Sequence, residues 1–226
     1  MKGKLVVIEG IDGSGKTTQL KLLLERLKKD GHKVKTIHFP QHGHQFFGVM
    51  VDQYLTGKFG DASGVDPHLA SVLYACDRWE AKPVIDKWLE EGCFVVLDRY
   101  MTSNKGHQLG KISSDKEKKE YLKWLDLMEY ETFKIPRPDI VFYLDVPIEI
   151  ALSHIENRSK EGKGYSKGDK DQHENMEHLV KAKEGYSFAL NKYDYWKTIN
   201  CASGDLIRSK EDVHNEIFAK LKESAI

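Results

Sequence analysis

The chain has 226 residues, of which 40% are hydrophobic and 10% aromatic, enough apolar material for one α/β domain with a sizeable core. That length leaves room for at most two small domains and excludes two large lobes, and the composition excludes a fibrous, membrane-spanning or wholly disordered protein. The 35 Lys+Arg and 35 Asp+Glu cancel to a net charge of +0, so no overall field draws the chain to nucleic acid or an anionic membrane, and an anionic ligand must be met by local design.

The opening Met1-Lys2-Gly3-Lys4 leads into a short apolar run that carries Glu9, unlike a signal peptide or a membrane span, so a cytoplasmic location is expected. Cys76, Cys93 and Cys201, three and far apart, fit small reduced core residues rather than a disulfide framework. The first predicted strand, residues 5–8, runs directly into Gly10-Ile11-Asp12-Gly13-Ser14-Gly15-Lys16-Thr17-Thr18, which fits G-x-x-x-x-G-K-T, and then into a helix striped by Leu20, Leu23, Leu24 and Leu27. Glycines let successive backbone N–H groups turn inward, and the helix N-terminus behind them adds partial positive charge, so a triphosphate finds donors there. Lys16 reaches the β and γ phosphates, and the Thr17 hydroxyl is a hard ligand for Mg²⁺. Asp12 is a carboxylate beside a polyanion site, tolerable only against a hydroxyl, an amine or the metal.

The second strand, 34–39, ends at Phe39-Pro40, and residues 40–67 form a long excursion with a helical middle. On the helix after Pro67, the stripe Leu69, Val72, Leu73 and Cys76 is expected to face the core. Tyr74 and Arg78, spaced i, i+4, share another face, where they either receive a base and its monophosphate or form an exposed cation packed on an aromatic neighbour. The third strand, 94–97, leads into Asp98-Arg99-Tyr100, at the carboxyl end where an open α/β sheet binds ligands. There Asp98 suits Mg²⁺ and Arg99 offers a planar fork to phosphate, a surface ion pair being the alternative. A helix with Tyr121, Trp124, Leu125 and Met128 precedes the fourth strand, 140–146. Residues 157–171, with three glycines and no apolar stripe, read as a mobile loop. A helix with Leu179, Ala182, Tyr186 and Leu190 precedes the fifth strand, 196–202. Strand and helix alternate throughout, so the expected fold is α/β: a doubly wound three-layer sandwich around a five-stranded parallel sheet, a single domain over 1–226.

Glu9-Gly10-Ile11-Asp12-Gly13-Ser14-Gly15-Lys16-Thr17, Phe39-Pro40, Tyr74-Ala-Cys-Asp77-Arg78, Asp98-Arg99-Tyr100 with Ser103, Asn104 and Gln108, and Tyr143-Leu144-Asp145-Val146 together resemble the thymidylate kinase family across most of the chain, in the family's order. The resemblance implies phosphoryl transfer from ATP to dTMP with Mg²⁺, giving dTDP and ADP, in a P-loop kinase core that usually forms a homodimer. It implies that residues 10–18 hold ATP, that Lys16 and Arg99 act on the transferred phosphoryl group, and that Thr17 and Asp98 surround the metal. Arg78 then takes the acceptor phosphate, Asp12 lies near the sugar 3'-hydroxyl, Tyr74 and Phe39 lie against thymine, and Ser103, Asn104 and Gln108 line the dTMP site. A side-chain amide offers both a donor and an acceptor, as an N3–H beside a carbonyl requires.

Three departures stand out: Gln41 where many relatives carry arginine, His107 where many carry an aromatic residue, and Gly13 after Asp12 with no arginine in the phosphate loop. In the family the last goes with a basic lid, which makes Arg158, the only arginine of residues 157–171, a catalytic candidate. Two other readings compete. Asn191-Lys192-Tyr193-Asp194 fits the guanine-reading N-K-x-D of GTP-dependent switches, but it ends a helix, and no Asp-x-x-Gly follows the third strand. A kinase for another nucleoside or nucleotide would keep the phosphate loop and differ at Tyr74, Asn104 and Gln108. His38, His42 and His44 are close in sequence, but no soft ligand lies nearby to make a zinc site.

Overall fold

The structure is a computed structural model, and it describes residues 2–62, 64–160, 176–204 and 206–225. Five apolar runs become the strands Lys4–Glu9 (β1), Val34–His38 (β2), Phe94–Asp98 (β3), Ile140–Asp145 (β4) and Trp196–Asn200 (β5). They form one wholly parallel sheet in the order β2-β3-β1-β4-β5. Parallel strands need crossover helices, which cover both faces of the sheet. The three inner strands are accordingly buried almost residue for residue. The outer two are not. β2, Val-Lys-Thr-Ile-His, exposes Lys35 and Thr36, and β5 is half exposed, because an edge strand has a neighbour on one side only. Ala202 leaves the fifth strand for a small hairpin, Ala202–Ser203 (β6) against Leu206–Ile207 (β7).

The helices are Lys16–Lys29 (α1), Phe46–Leu55 (α2), Pro67–Glu90 (α3), Asn104–His107 (α4), Asp115–Asp126 (α5), Ile148–Lys160 (α6), Met176–Leu190 (α7) and Lys210–Ala225 (α8). α1 and α8 lock together through Gln19 Nε2, which donates to the Lys210 carbonyl at 2.9 Å, and through the Arg26 guanidinium, 4.4 Å above the Phe218 ring. The α1 leucine stripe enters the core as its spacing predicts: Leu20, Leu23 and Leu27 are all buried.

Two expectations fail. On α3, Leu69 is 68% exposed and Val72 38%, while the buried side carries Ala70, Ala75, Asp77, Arg78, Ala81 and Ile85. Spacing identifies a stripe but not the layer that it faces; small alanines let α3 approach closely on the side of the buried polar groups, and that turns Leu69 and Val72 outward. The segment beginning at 157 is also not all loop: α6 continues through Lys160, with Arg158 and Lys160 in its last turn, where the helix dipole favours cations. Residues 161–171 of that expected loop lie outside the described residues. Among the described residues no helix is long and apolar enough to cross a membrane.

Candidate active site

The turn from β1 to α1 is shaped by glycine. Gly13 has φ 78, and a Cβ there would lie 2.2 Å from the Ala151 carbonyl oxygen, so only glycine lets α6 approach the loop this closely. Gly15 caps α1 with no side-chain hydrogen bond, and no acidic residue occupies the first turn, which keeps the helix N-terminus suited to an anion. Lys16 is buried at the centre, its ammonium donating to the Gly10 and Ile11 carbonyls at 3.1 and 2.8 Å. Burial and the nearby Arg99 guanidinium push its pKa down to about 8, against the opposing pull of Asp12 and Asp98. Ile11 is buried and accepts from the Ser14 backbone N–H at 3.2 Å, which closes the loop; Thr18 begins the helical ladder, donating to the Gly15 carbonyl at 3.0 Å.

The β3 end faces this loop because β3 pairs with β1, placing Ile8 opposite Asp98. Asp98 is buried; its Oδ2 accepts from the Thr17 hydroxyl at 3.2 Å, and its Oδ1 has no partner among the described residues. Burial alone would raise the carboxyl's pKa, but the His38 hydrogen bond and the Lys16 charge outweigh it and hold the group ionised. An ionised buried carboxylate with an orphaned oxygen beside a threonine hydroxyl fits a hard divalent cation. Arg99 adopts φ 67, a left-handed backbone rare outside glycine and typical of strain held at functional positions. Its Nη1 donates to the Gly10 carbonyl at 3.2 Å and to His107 Nε2 at 3.1 Å, and its Nη2 donates to Asp12 Oδ1. Against burial, the Arg99 and Lys16 cations hold the Asp12 carboxyl well below the usual carboxylate range. Its direct partner is the Arg99 guanidinium, and the Lys16 ammonium adds a second positive charge nearby.

Next to these groups opens a cavity of about 240 Å³, lined by Asp12, Phe39, Tyr74, Arg78, Arg99, Ser103, Asn104, His107, Gln108, Arg158 and His178 among others. It gathers every residue that the resemblance assigned to the acceptor, and Arg158 as well. Arg78 is buried, not exposed. Its Nε and Nη2 donate side-on to Glu129 at 2.7 and 2.5 Å, and its Nη1 donates to the Tyr100 carbonyl at 3.4 Å. Of five donors this leaves one N–H on each terminal nitrogen, an end-on fork for an anion in the cavity. Gln41 does not replace the missing arginine: its side chain is tied to Asp77, donating to Oδ1 at 3.0 Å. Ser103 lines the wall with its hydroxyl donated to Glu9 at 2.7 Å. Asn104 and Gln108 are buried, and the amide nitrogen of the first and the amide oxygen of the second have no partner among the described residues.

Four supporting residues were not assigned from sequence. Glu9 is fully buried and accepts from Gly10 N, Tyr100 N, Thr102, Ser103 and Tyr186, binding the ends of β1 and β3 to α7. A carboxylate closing an apolar strand was a visible signal for it. Glu129 lies in a π-helical segment, Leu127–Thr132, and His154 donates from α6 to the Gly13 carbonyl at 2.8 Å; neither has a local signature. His178, at the start of α7, meets His107. Asn191–Asp194 lies in the turn before β5, at the end of the sheet remote from the phosphate loop, so it cannot read a base bound there.

The family model of thymidylate kinase matches residues 8–217. The chain belongs to the thymidylate kinase family. It is 34% identical over 220 residues to thymidylate kinase of Plasmodium falciparum, covering 97% of this chain and 90% of that protein. It is 32% identical over 223 residues to a probable thymidylate kinase of Pyrococcus abyssi, covering 98% and 97%. The fold resembles a solved structure of thymidylate kinase from Candida albicans with a TM-score of 0.74 at 24% identity, covering 98% and 92%. Members of this family are nucleotide-binding transferases of nucleotide biosynthesis, consistent with ATP-dependent phosphorylation of dTMP to dTDP.

Proposed function

We propose that this chain is a cytoplasmic, Mg²⁺-dependent kinase that transfers the γ-phosphoryl group of ATP to dTMP, working as one domain and as a homodimer. The observation that carries the acceptor is the pair of orphaned amide atoms in the cavity, a donor on Asn104 and an acceptor on Gln108. Buried polar groups are nearly always satisfied, so this pair calls for a ligand edge that offers the reverse pattern, as an N3–H beside a carbonyl oxygen does. Tyr74 and Phe39 provide the apolar walls for the ring. The dimer is supported by the outward stripe of α3, where Leu69, Val72 and Trp79 are exposed together.

In the proposed mechanism the end-on fork of Arg78 holds the acceptor phosphate, and its charge is kept in place by Glu129. Asp12 orients the sugar through its 3'-hydroxyl. Residues 10–18 cradle the donor triphosphate, and Lys16, with Arg99 and Arg158, stabilises negative charge spreading over the γ-phosphoryl oxygens. Thr17 and Asp98 would hold the Mg²⁺, which neutralises charge between the phosphates when bound. There is little covalent work for the protein, so positioning two nucleotides in line supplies most of the rate.

A coupled assay of ADP release with ATP, Mg²⁺ and each nucleoside monophosphate tests the reading. Turnover is expected with dTMP; equal ATP hydrolysis with and without any acceptor would overturn it. The base contact has its own test. Leaving a buried polar edge unpaired costs about 1 to 3 kcal/mol, so Gln108→Ala is expected to lower kcat/KM for dTMP by about 10-fold or more, and by less for dCMP. A uniform loss over all acceptors would remove Gln108 from the base pocket.

A further inference from the structure

The bonds around His107 determine where its proton sits. Arginine can only donate, so His107 Nε2, which receives Arg99 Nη1 at 3.1 Å, must present a lone pair. The proton is then on Nδ1, and Nδ1 lies 2.9 Å from His178 Nε2, which must therefore accept. Both imidazoles are neutral, and each is in a single tautomer. The rings are near-parallel, with centroids 5.1 Å apart, and the edge of Tyr186 closes on His107 at 5.7 Å. The backbones carrying them have almost no freedom: a Cβ on Gly106 would lie 2.3 Å from the Tyr186 ring, and one on Gly185 would lie 2.2 Å from the Gly106 carbonyl oxygen. The chain of donors thus runs from the strained end of β3 through α4 to α7.

We propose that His178 is a positioning residue for phosphoryl transfer: by accepting the His107 Nδ1–H it holds His107 in the tautomer that anchors the Arg99 fork. The inference rests on the role given to Arg99 above. If His107 took a second proton, an N–H would point at the Arg99 N–H, and the fork would be pushed off its position beside Asp12. The surroundings oppose that protonation. Burial, together with Arg99, His178 and Lys16, keeps the His107 pKa well below the usual imidazole value, against the pull of Asp12. For His178, burial, Lys111, Arg99 and Lys181 bring it down to about 4, again against Asp12. A folded pKa below the free value means that the neutral, working form persists as pH falls below about 6.5.

The test measures kcat and KM for dTMP against pH in the wild type, His178→Ala and His178→Gln. The wild type is expected to keep a flat kcat from about pH 7 to about pH 5.5. In His178→Ala the acceptor is gone and water reaches His107, so its pKa rises toward about 6.5. Its kcat should then fall on the acid side with that midpoint, about 10-fold below wild type at the low end, with KM for dTMP nearly constant. His178→Gln supplies an amide oxygen as acceptor and is expected to regain the flat profile. A merely structural His178 would change stability or KM but add no titration to kcat. A second measurement is independent of activity: ¹⁵N spectra of histidine-labelled wild type should show His107 protonated at Nδ1, and His178→Ala should show a mixture. A wild type with no dTMP kinase activity but this tautomer pattern would remove the reaction and leave the hydrogen-bonded chain intact. Identical pH profiles in wild type and His178→Ala, or an Nε2–H tautomer in the wild type, would overturn the proposal.

Discussion

Replacing Lys16 by methionine, or Arg99 by alanine, is expected to lower kcat by about 10²-fold or more, with a much smaller change in the affinity for either nucleotide. Both side chains are buried or nearly so and converge on one point: Lys16 lies under the phosphate loop, and the Arg99 fork is fixed between Gly10, Asp12 and His107. Preorganised cations of this kind act most strongly on charge that grows during transfer, because their reorganisation has already been met in folding the left-handed turn at Arg99. Lys16 has a further signature. With its pKa at about 8, it is the one group of this cluster close to losing charge at mildly alkaline pH. Burial favours the neutral amine, so the charged form, and activity with it, should be lost as pH rises, and bound triphosphate should move that limb to higher pH. Steady-state and single-turnover rates of the two variants check the first claim, and a change confined to KM for dTMP would reassign Arg99 to ground-state binding.

Arg158→Ala is expected to slow single turnover by about 10³-fold while leaving dTMP affinity nearly unchanged, because a guanidinium that completes the phosphoryl site contributes on that scale. Gly13 leaves the phosphate loop without its own arginine, and α6 brings one. His154 bonds to the Gly13 carbonyl at 2.8 Å, and Arg158, one helical turn further, lines the cavity that also holds Asp12 and Arg99. Lysine at 158 is expected to rescue poorly, since a point charge cannot bridge two oxygens as a planar fork does. Wild-type single-turnover rates in Arg158→Ala would return Arg158 to the role of a solvated charge at a helix end.

What the amino-acid sequence determined by itself about this protein is what depends on neighbours along the chain. The phosphate loop is contiguous, so residues 10–18 carry their own turn geometry and helix start. The inner strands could be read because a strand covered on both faces must be apolar at nearly every position, as β1, β3 and β4 are. The i, i+4 spacing of Tyr74 and Arg78 likewise put them on one wall of the cavity. Only the tertiary structure decided which way a face turns and who meets whom across the fold. Leu69 and Val72 have the spacing of a core stripe and yet point outward, because the side of α3 with small residues packs inward around Arg78. Glu129 is 51 residues from Arg78 and His178 is 71 from His107, and no local pattern marks either partner. Such pairs form because burial makes an unpaired charge or ring nitrogen costly, and that cost exists only once the sheet and its covering helices have excluded water.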